Sequence, residues 1–235
     1  MVAASRFALL ALLAASLLPA QSPRPGVNGF LRDFATIQKE IWLSPIRMDR
    51  NQTVSRALPI VLGTASLLAV DRHLTRSLPN SPDQIRWGNR ISHAGALYTL
   101  AAVTAVPLAA ARSGNRPYAA SVGRASIDAL AAAAASNYAL KFSLGRQRPT
   151  SGSGNGAFFR GGDSFPSGHS MTAWAVSTAI ARHPRTPRWA RFLSWGAAAA
   201  VSLSRIAAHR HFAADVFAGA ALGGLIGNHA VSRVR

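Results

Sequence analysis

The sequence predicts an all-α protein: a bundle of about six core helices, membrane-associated, preceded by an export signal and an amphipathic helix. Three observations carry that expectation. Six apolar segments, roughly 57–70, 91–111, 125–144, 168–182, 190–208 and 213–231, are rich in alanine, the best helix former. None alternates with period two, so no strand pattern is present. Clusters of Arg, Pro, Gly and Asn separate them, as loops between helices do.

The elements follow in order. Residues 1–20 read as a signal peptide: Arg6 is a positive flank, Phe7 to Leu18 is an apolar run of 12, and Pro19-Ala20 offers cleavage after Ala20. Residues 21–56 read as a linker and an amphipathic helix. The linker is the Pro/Gly-rich 21–29. In the helix, Phe30, Phe34, Ile37 and Ile41 are spaced 4, 3 and 4 on one face, with Leu31 and Trp42 beside them. "SPIRMDRNQ" then breaks it. The core domain is 57–231.

Hydropathy favours membrane association, with reservations that the residues themselves raise. Segment 91–111 has a spanning length of 21, whereas 57–70 has only 14 residues, and Asp128 and Asn137 interrupt 125–144. The mean hydropathy of +0.15 is low for a fully embedded bundle. Arg112, Arg116, Arg124, Arg182, Arg185, Arg188 and Arg191 cluster in connections on one side, as on a cytoplasmic face. If the other side faces out, a cleaved signal leaves the start of 57–70 outside. Either that segment does not span, or the signal is retained, or the bundle is not conventionally embedded.

Composition narrows the chemistry. Lys and Arg number 26 against 8 Asp and Glu, a formal charge of +18, and only Lys39 and Lys141 are lysines. Such a surplus suits an anionic partner: nucleic acid, an anionic membrane or a phosphorylated substrate. With no cysteine, disulfides, thiolate nucleophiles and cysteine-zinc sites are excluded.

Three stretches carry candidate chemistry. In "DSFPSGHS", Pro166 sets up a turn, and Ser167, Gly168 and His169 stand at a helix N-terminus. Free backbone N–H groups and the positive dipole end make that an anion site. Upstream, "KFSLGRQRP" brings Lys141, Arg146 and Arg148 toward the same mouth, a point charge and planar forks suited to phosphate oxygens. Downstream, "SRIAAHRHFAAD" holds Arg205, then His211 and Asp215 at i and i+4. On one helix face, Asp215 accepts from His211 and leaves the other ring nitrogen free as a nucleophile. A metal reading of that pair lacks a third ligand at ligand spacing. His209 reads as a loop residue.

Together these stretches resemble the type 2 phosphatidic acid phosphatase superfamily, PAP2, shared with acid phosphatases and vanadium haloperoxidases. Its pattern K-x6-RP, PSGH and SR-x5-H-x3-D is met at Lys141–Pro149, Pro166–His169 and Ser204–Asp215 without departure. The resemblance implies an α-helical bundle with its site at one end. It implies a metal-independent phosphatase without cofactor, acting on a phosphomonoester or diphosphate, preferably of a lipid. His211 would form a phosphohistidine, Asp215 would orient it and His169 would protonate the leaving oxygen. Lys141, Arg148, Ser167, Gly168 and Arg205 would bind the phosphoryl group. Arg146 and Arg160 fall outside the pattern, either guiding an anionic substrate or solvated. The implied partners are a phosphorylated lipid or small phosphoester and a membrane, with no nucleic acid, and the oligomeric state stays open. The implied setting is exported, with the site on the periplasmic or external side. A soluble periplasmic acid phosphatase, a vanadate-dependent haloperoxidase and a phosphate-binding membrane protein are the alternatives.

Overall fold

The computed structural model describes residues 27–234, apart from Asn115; the expected signal peptide lies outside the described residues. Those residues are helical, as expected, without strands among them. Helix α1, Val27–Arg47, begins inside the expected linker and runs through the expected break. Pro45 has no N–H for the Ile41 carbonyl, and the Ser44 hydroxyl donates to it instead at 2.8 Å, so the last turn survives the proline.

Helix α2 corrects the sequence reading more strongly. It runs Arg50–Ser77, 28 residues rather than 14. Asp49 caps it by accepting from the Gln52 N–H at 2.7 Å. A π-helical turn, Thr53–Ala57, precedes Pro59, which cannot continue the i−4 ladder. Asp71, Arg72 and His73 looked like the end of an apolar segment, yet the helix continues through them until Leu78 turns extended before Pro79.

The expected single helix over 91–111 is two. Helix α3, Pro82–Ser92, was not anticipated; Ser81 caps it at Gln84 N, with Pro82 at its first position. A 3₁₀ turn, His93–Gly95, leads into α4, Leu97–Arg112. The turn lies close against Val201, whose Cγ1 would fall 2.3 Å from a Cβ on Gly95. By length and composition, α2 and the stretch Pro82–Ala111 can each cross a membrane.

The core is built by α5 (Pro117–Leu144), α6 (Gly168–Ala181), α7 (Arg188–Ala207) and α8 (Ala213–Ser232). Alanine at 125, 129, 132, 133, 175, 179 and 230 lets these helices approach closely around Met171 and Ile226. Gly219, Gly223 and Gly227 recur every fourth residue along α8. A Cβ on Gly223 would meet the Met171 carbonyl oxygen at 2.2 Å, so α8 lies directly on the α6 backbone. α5 and α7 end where α6 and α8 begin. All three sequence stretches therefore come to one end of the bundle.

Candidate active site

Helix α6 is aimed by its neighbours. Asn137, read from sequence as a polar interruption of an apolar segment, donates from Nδ2 to the Pro166 carbonyl at 3.0 Å. A Cβ on Gly168 would stand 2.9 Å from Asn137 Oδ1, so glycine is required for this approach. The Ser167 N–H donates to the Asp215 carbonyl at 2.9 Å, which joins α6 to α8. The first α6 bond comes from the Met171 N–H to the Ser167 carbonyl, leaving the N–H groups of Gly168, His169 and Ser170 outside the helical ladder.

Cations converge on that end. Lys141 stands on the last turn of α5, and Gly145 closes the helix at φ +50°, a left-handed conformation that favours glycine. The chain from 145 to 167 folds back on this cap: the Phe159 N–H donates to the Leu144 carbonyl at 2.8 Å and the Arg160 N–H to the Gly145 carbonyl at 3.0 Å. Arg148 projects from the same loop and grips Asp163 bidentately, Nε to Oδ1 at 2.7 Å and a terminal nitrogen to Oδ2 at 2.8 Å. Lys141 Nζ donates to the Asp163 carbonyl at 2.5 Å. Arg205, buried near the end of α7, completes the set.

Charge crowding shows that these groups share one volume. Desolvation, with Arg148 and Arg205 nearby, brings Lys141 down to about 8 despite the attraction of Asp163. Arg205 is lowered to about 10 by burial and then by Arg148 and Arg210, and remains a cation at neutral pH. The Arg148 hydrogen bonds hold Asp163 down to about 2. At this end of the bundle, the buried atoms Ser167 Oγ and Arg205 Nε have no hydrogen-bond partner among the described residues. Buried donors are nearly always paired. An anion seated between α6 and Arg205 would satisfy both.

His211 is buried beside this cluster, outside any helix. The turn after α7 fixes it: Arg210 N–H and His211 N–H both donate to the Arg205 carbonyl, at 3.0 and 3.3 Å. Its Nδ1 lies 2.8 Å from the Ser164 carbonyl and 3.7 Å from Asp215 Oδ2. The expected i, i+4 hydrogen bond is therefore not made, because α8 starts only at Ala213 and 3.7 Å exceeds hydrogen-bond range. The Ser164 carbonyl takes the Nδ1 proton instead and leaves Nε2 with its lone pair. Burial pushes the His211 pKa down to about 4 against the pull of Asp215, so the ring is neutral at pH 7. His169, the second residue of α6, is lowered to about 3 by burial and the surrounding cations, Arg205 foremost.

Asp215 has other duties. Its Oδ2 accepts the Phe212 N–H at 2.9 Å, which caps α8, and the Ser164 hydroxyl at 2.5 Å. Its Oδ1 accepts Arg146 at 2.5 Å. Burial alone would raise this carboxyl; His211, Arg146 and Ser164 outweigh it and hold its pKa below the usual value. Arg146 is 3% exposed and does not reach the mouth, contrary to the sequence reading. Its second partner is Asp71, at 2.8 Å. Sequence reasoning missed Asp71, Ser164 and Asn137. Only Asn137 gave a signal, as an amide in an apolar helix with no stated purpose.

Residues 125–235 match the model of the PAP2 superfamily. Over 89 residues, 37% of this chain, the sequence is 38% identical to the lipid A 1-phosphatase of Porphyromonas gingivalis. The matched residues are 18% of that relative's length, so the chain spans about a fifth of it. The fold is similar to that of a transmembrane PAP2 type phosphatidylglycerolphosphate phosphatase from Bacillus subtilis, at TM-score 0.57 and 22% identity, over 75% of this chain and 94% of that one.

Proposed function

From the match of residues 125–235 to the PAP2 superfamily, we propose that the chain is a PAP2-type membrane phosphatase that cleaves a phosphoester or diphosphate of a lipid through a phosphohistidine. One observation carries the reading. A neutral, buried His211 with a free Nε2 stands beside three cations, and Ser167 Oγ and Arg205 Nε are left without partners in the same volume.

His211 Nε2 attacks phosphorus while the bond to the leaving oxygen breaks. His169 gives that oxygen a proton. Its low free-site pKa means that the substrate's own negative charge must raise it first. Lys141, Arg148 and Arg205, with the Ser167 hydroxyl and the first N–H groups of α6, take up charge on the phosphoryl oxygens. His169, now neutral, removes a proton from water, whose oxygen attacks phosphorus while the bond from phosphorus to His211 Nε2 breaks. Phosphate leaves, and His211 returns to its starting state. The Ser164 carbonyl holds the ring throughout, and Asp215 fixes Ser164 through its hydroxyl.

A lipid substrate and a membrane setting are supported by the surface. α2 exposes Val54, Leu58, Val61, Leu62, Val70 and Leu74, and buries only Asp71. Two aromatic side chains, Phe142 at 85% exposure and Phe159 at 74%, stand on the segments that carry the site cations. The curated relative is named for a phosphorylated lipid. Arg116, Arg182 and Arg185 lie in the connections opposite the site, flanked by Arg112 and Arg188, an arrangement that under the positive-inside rule favours the site on the exported face.

The test is phosphate release by wild-type protein and His211→Ala on a panel: a lipid A phosphate, phosphatidate, phosphatidylglycerophosphate and a soluble aryl phosphate. We expect turnover of a lipid, retained in excess EDTA because the charge is supplied by side chains. We expect His211→Ala to lose at least about 10³-fold in kcat while still binding tungstate. Full activity in that variant sinks the mechanism. Turnover of the aryl ester alone favours a soluble-type acid phosphatase.

A further inference from the structure

Arg146 lies outside the family pattern, yet it is one of the most fully engaged side chains in the protein. Its Nε donates to the Gly156 carbonyl at 3.1 Å, one terminal nitrogen to Asp215 Oδ1 at 2.5 Å and the other to Asp71 Oδ2 at 2.8 Å. The rings of Phe158 and Phe212 lie 5.0 and 4.3 Å from its guanidinium carbon. Asp71 is the one buried residue of α2, on a helix whose other side chains face outward or are half-covered. Its second oxygen accepts the Ala214 N–H at 3.0 Å, on the first turn of α8. Both oxygens accept, as those of an ionised carboxylate do.

The charges decide what this arrangement does. Two carboxylates, Asp71 and Asp215, share one guanidinium, so the buried trio keeps one negative charge. Asp215 Oδ2 brings that charge to 3.7 Å from His211 Nδ1. Without Asp71, Arg146 would cancel Asp215. When His211 bonds to phosphorus and keeps its Nδ1 proton, the ring becomes cationic. A fixed negative charge in a dry site favours that cation as it forms. We propose that Asp71 and Arg146 are positioning residues for the nucleophile: the Asp71–Arg146–Asp215 relay keeps one uncancelled negative charge against His211 and ties the apolar helix α2 to the reacting ring. The proposal rests on His211 being the nucleophile.

A charge cycle tests it. Asp71→Asn makes the trio neutral, Arg146→Gln makes it doubly negative, and the double variant returns it to one negative charge. We expect Asp71→Asn to lower kcat by about tenfold or more, with tungstate affinity within about threefold of wild type, since the change acts on the transition state. The double variant is then faster than Asp71→Asn alone, a coupling opposite in sign to two accumulated packing defects. Asp71→Glu keeps the charge and retains at least about a tenth of wild-type kcat, whether or not Asp71→Asn folds. Wild-type kcat in Asp71→Asn, a double variant no faster than Asp71→Asn, or an Asp71→Glu below that level overturns the proposal. With His211→Ala alongside, a wild-type protein that turns nothing over, or an active His211→Ala, overturns the phosphatase reading itself.

Discussion

Arg146 and Arg148 are two residues apart and each pairs with aspartate, yet they belong to different kinds of structure. Arg146 is buried with Asp71 and Asp215, every nitrogen engaged, between two aromatic rings. Arg148 stands in the mouth, and its partner Asp163 has a side chain 61% exposed. The floor is a closed account of donors and acceptors that fixes geometry. The mouth holds cations on a partner that water also reaches, beside two orphaned donors. A site that must hold a nucleophile still and exchange an anion needs both.

Stability separates the two most sharply. Arg146→Ala strands two buried carboxylates, and breaking a buried ion pair from one side destabilises by about 3–5 kcal/mol. Arg148→Ala removes a partly solvated pair, worth within about 1 kcal/mol. Denaturant unfolding of both variants in the same detergent measures the contrast. Equal losses would erase the distinction between floor and mouth.

The sequence made the mouth legible and hid the floor. Lys141, Arg148, Ser167, His169, Arg205 and His211 all sit at one end of the bundle, because helix ends and motif spacing are local properties. The starts of α6 and α8 were read at the residues where they occur. Asp71 and Arg146 meet across 75 positions, and no periodicity reports such a pairing. Arg146 therefore read as a cation near the mouth, guiding an anionic substrate or solvated, and Asp71 looked like the end of an apolar segment rather than its one inward residue. The His211–Asp215 spacing suggested a helix face, but the cap geometry of α8 turned Asp215 toward Phe212, Ser164 and Arg146. Ser81-Pro82 was a readable helix start that the apolar pattern overshadowed, since α3 carries Asp83, Arg86 and Arg90. The glycine row at 219, 223 and 227 was likewise present. Its meaning depended on knowing that α6 lay opposite.

The mouth predicts a pH dependence of intermediate size. Lys141 titrates at about 8 in the free site, and only its charged form attracts the anion. A bound anion raises that pKa. Affinity is therefore fully present below about pH 8 and weakens above it, by at most about tenfold per pH unit. Tungstate keeps its charge from pH 7 to about 9.5, so its competitive inhibition constant reads the side chain rather than the probe. Lys141→Arg, whose cation persists through this range, should flatten the slope whatever its absolute affinity. A slope that survives in Lys141→Arg would move the titration to another group.

The smallest effect bears on how the mouth opens. Asp163 holds Arg148 with both oxygens, so an incoming phosphoryl group must compete for that guanidinium. Lys141 keeps its bond to the Asp163 backbone carbonyl through a side-chain change and gives up only a 4.0 Å ion pair with Oδ2. Asp163→Asn should therefore free Arg148 without releasing Lys141. Exposed pairs of this kind are worth about 0.2–1 kcal/mol, which converts to an anion affinity tightened by about 1.4- to 5-fold. The opposite outcome has a definite meaning. If Asp163→Asn weakens tungstate binding, Asp163 aims Arg148 at the anion rather than competing with it. The mouth would then be preorganised like the floor, by a carboxylate that happens to be wet.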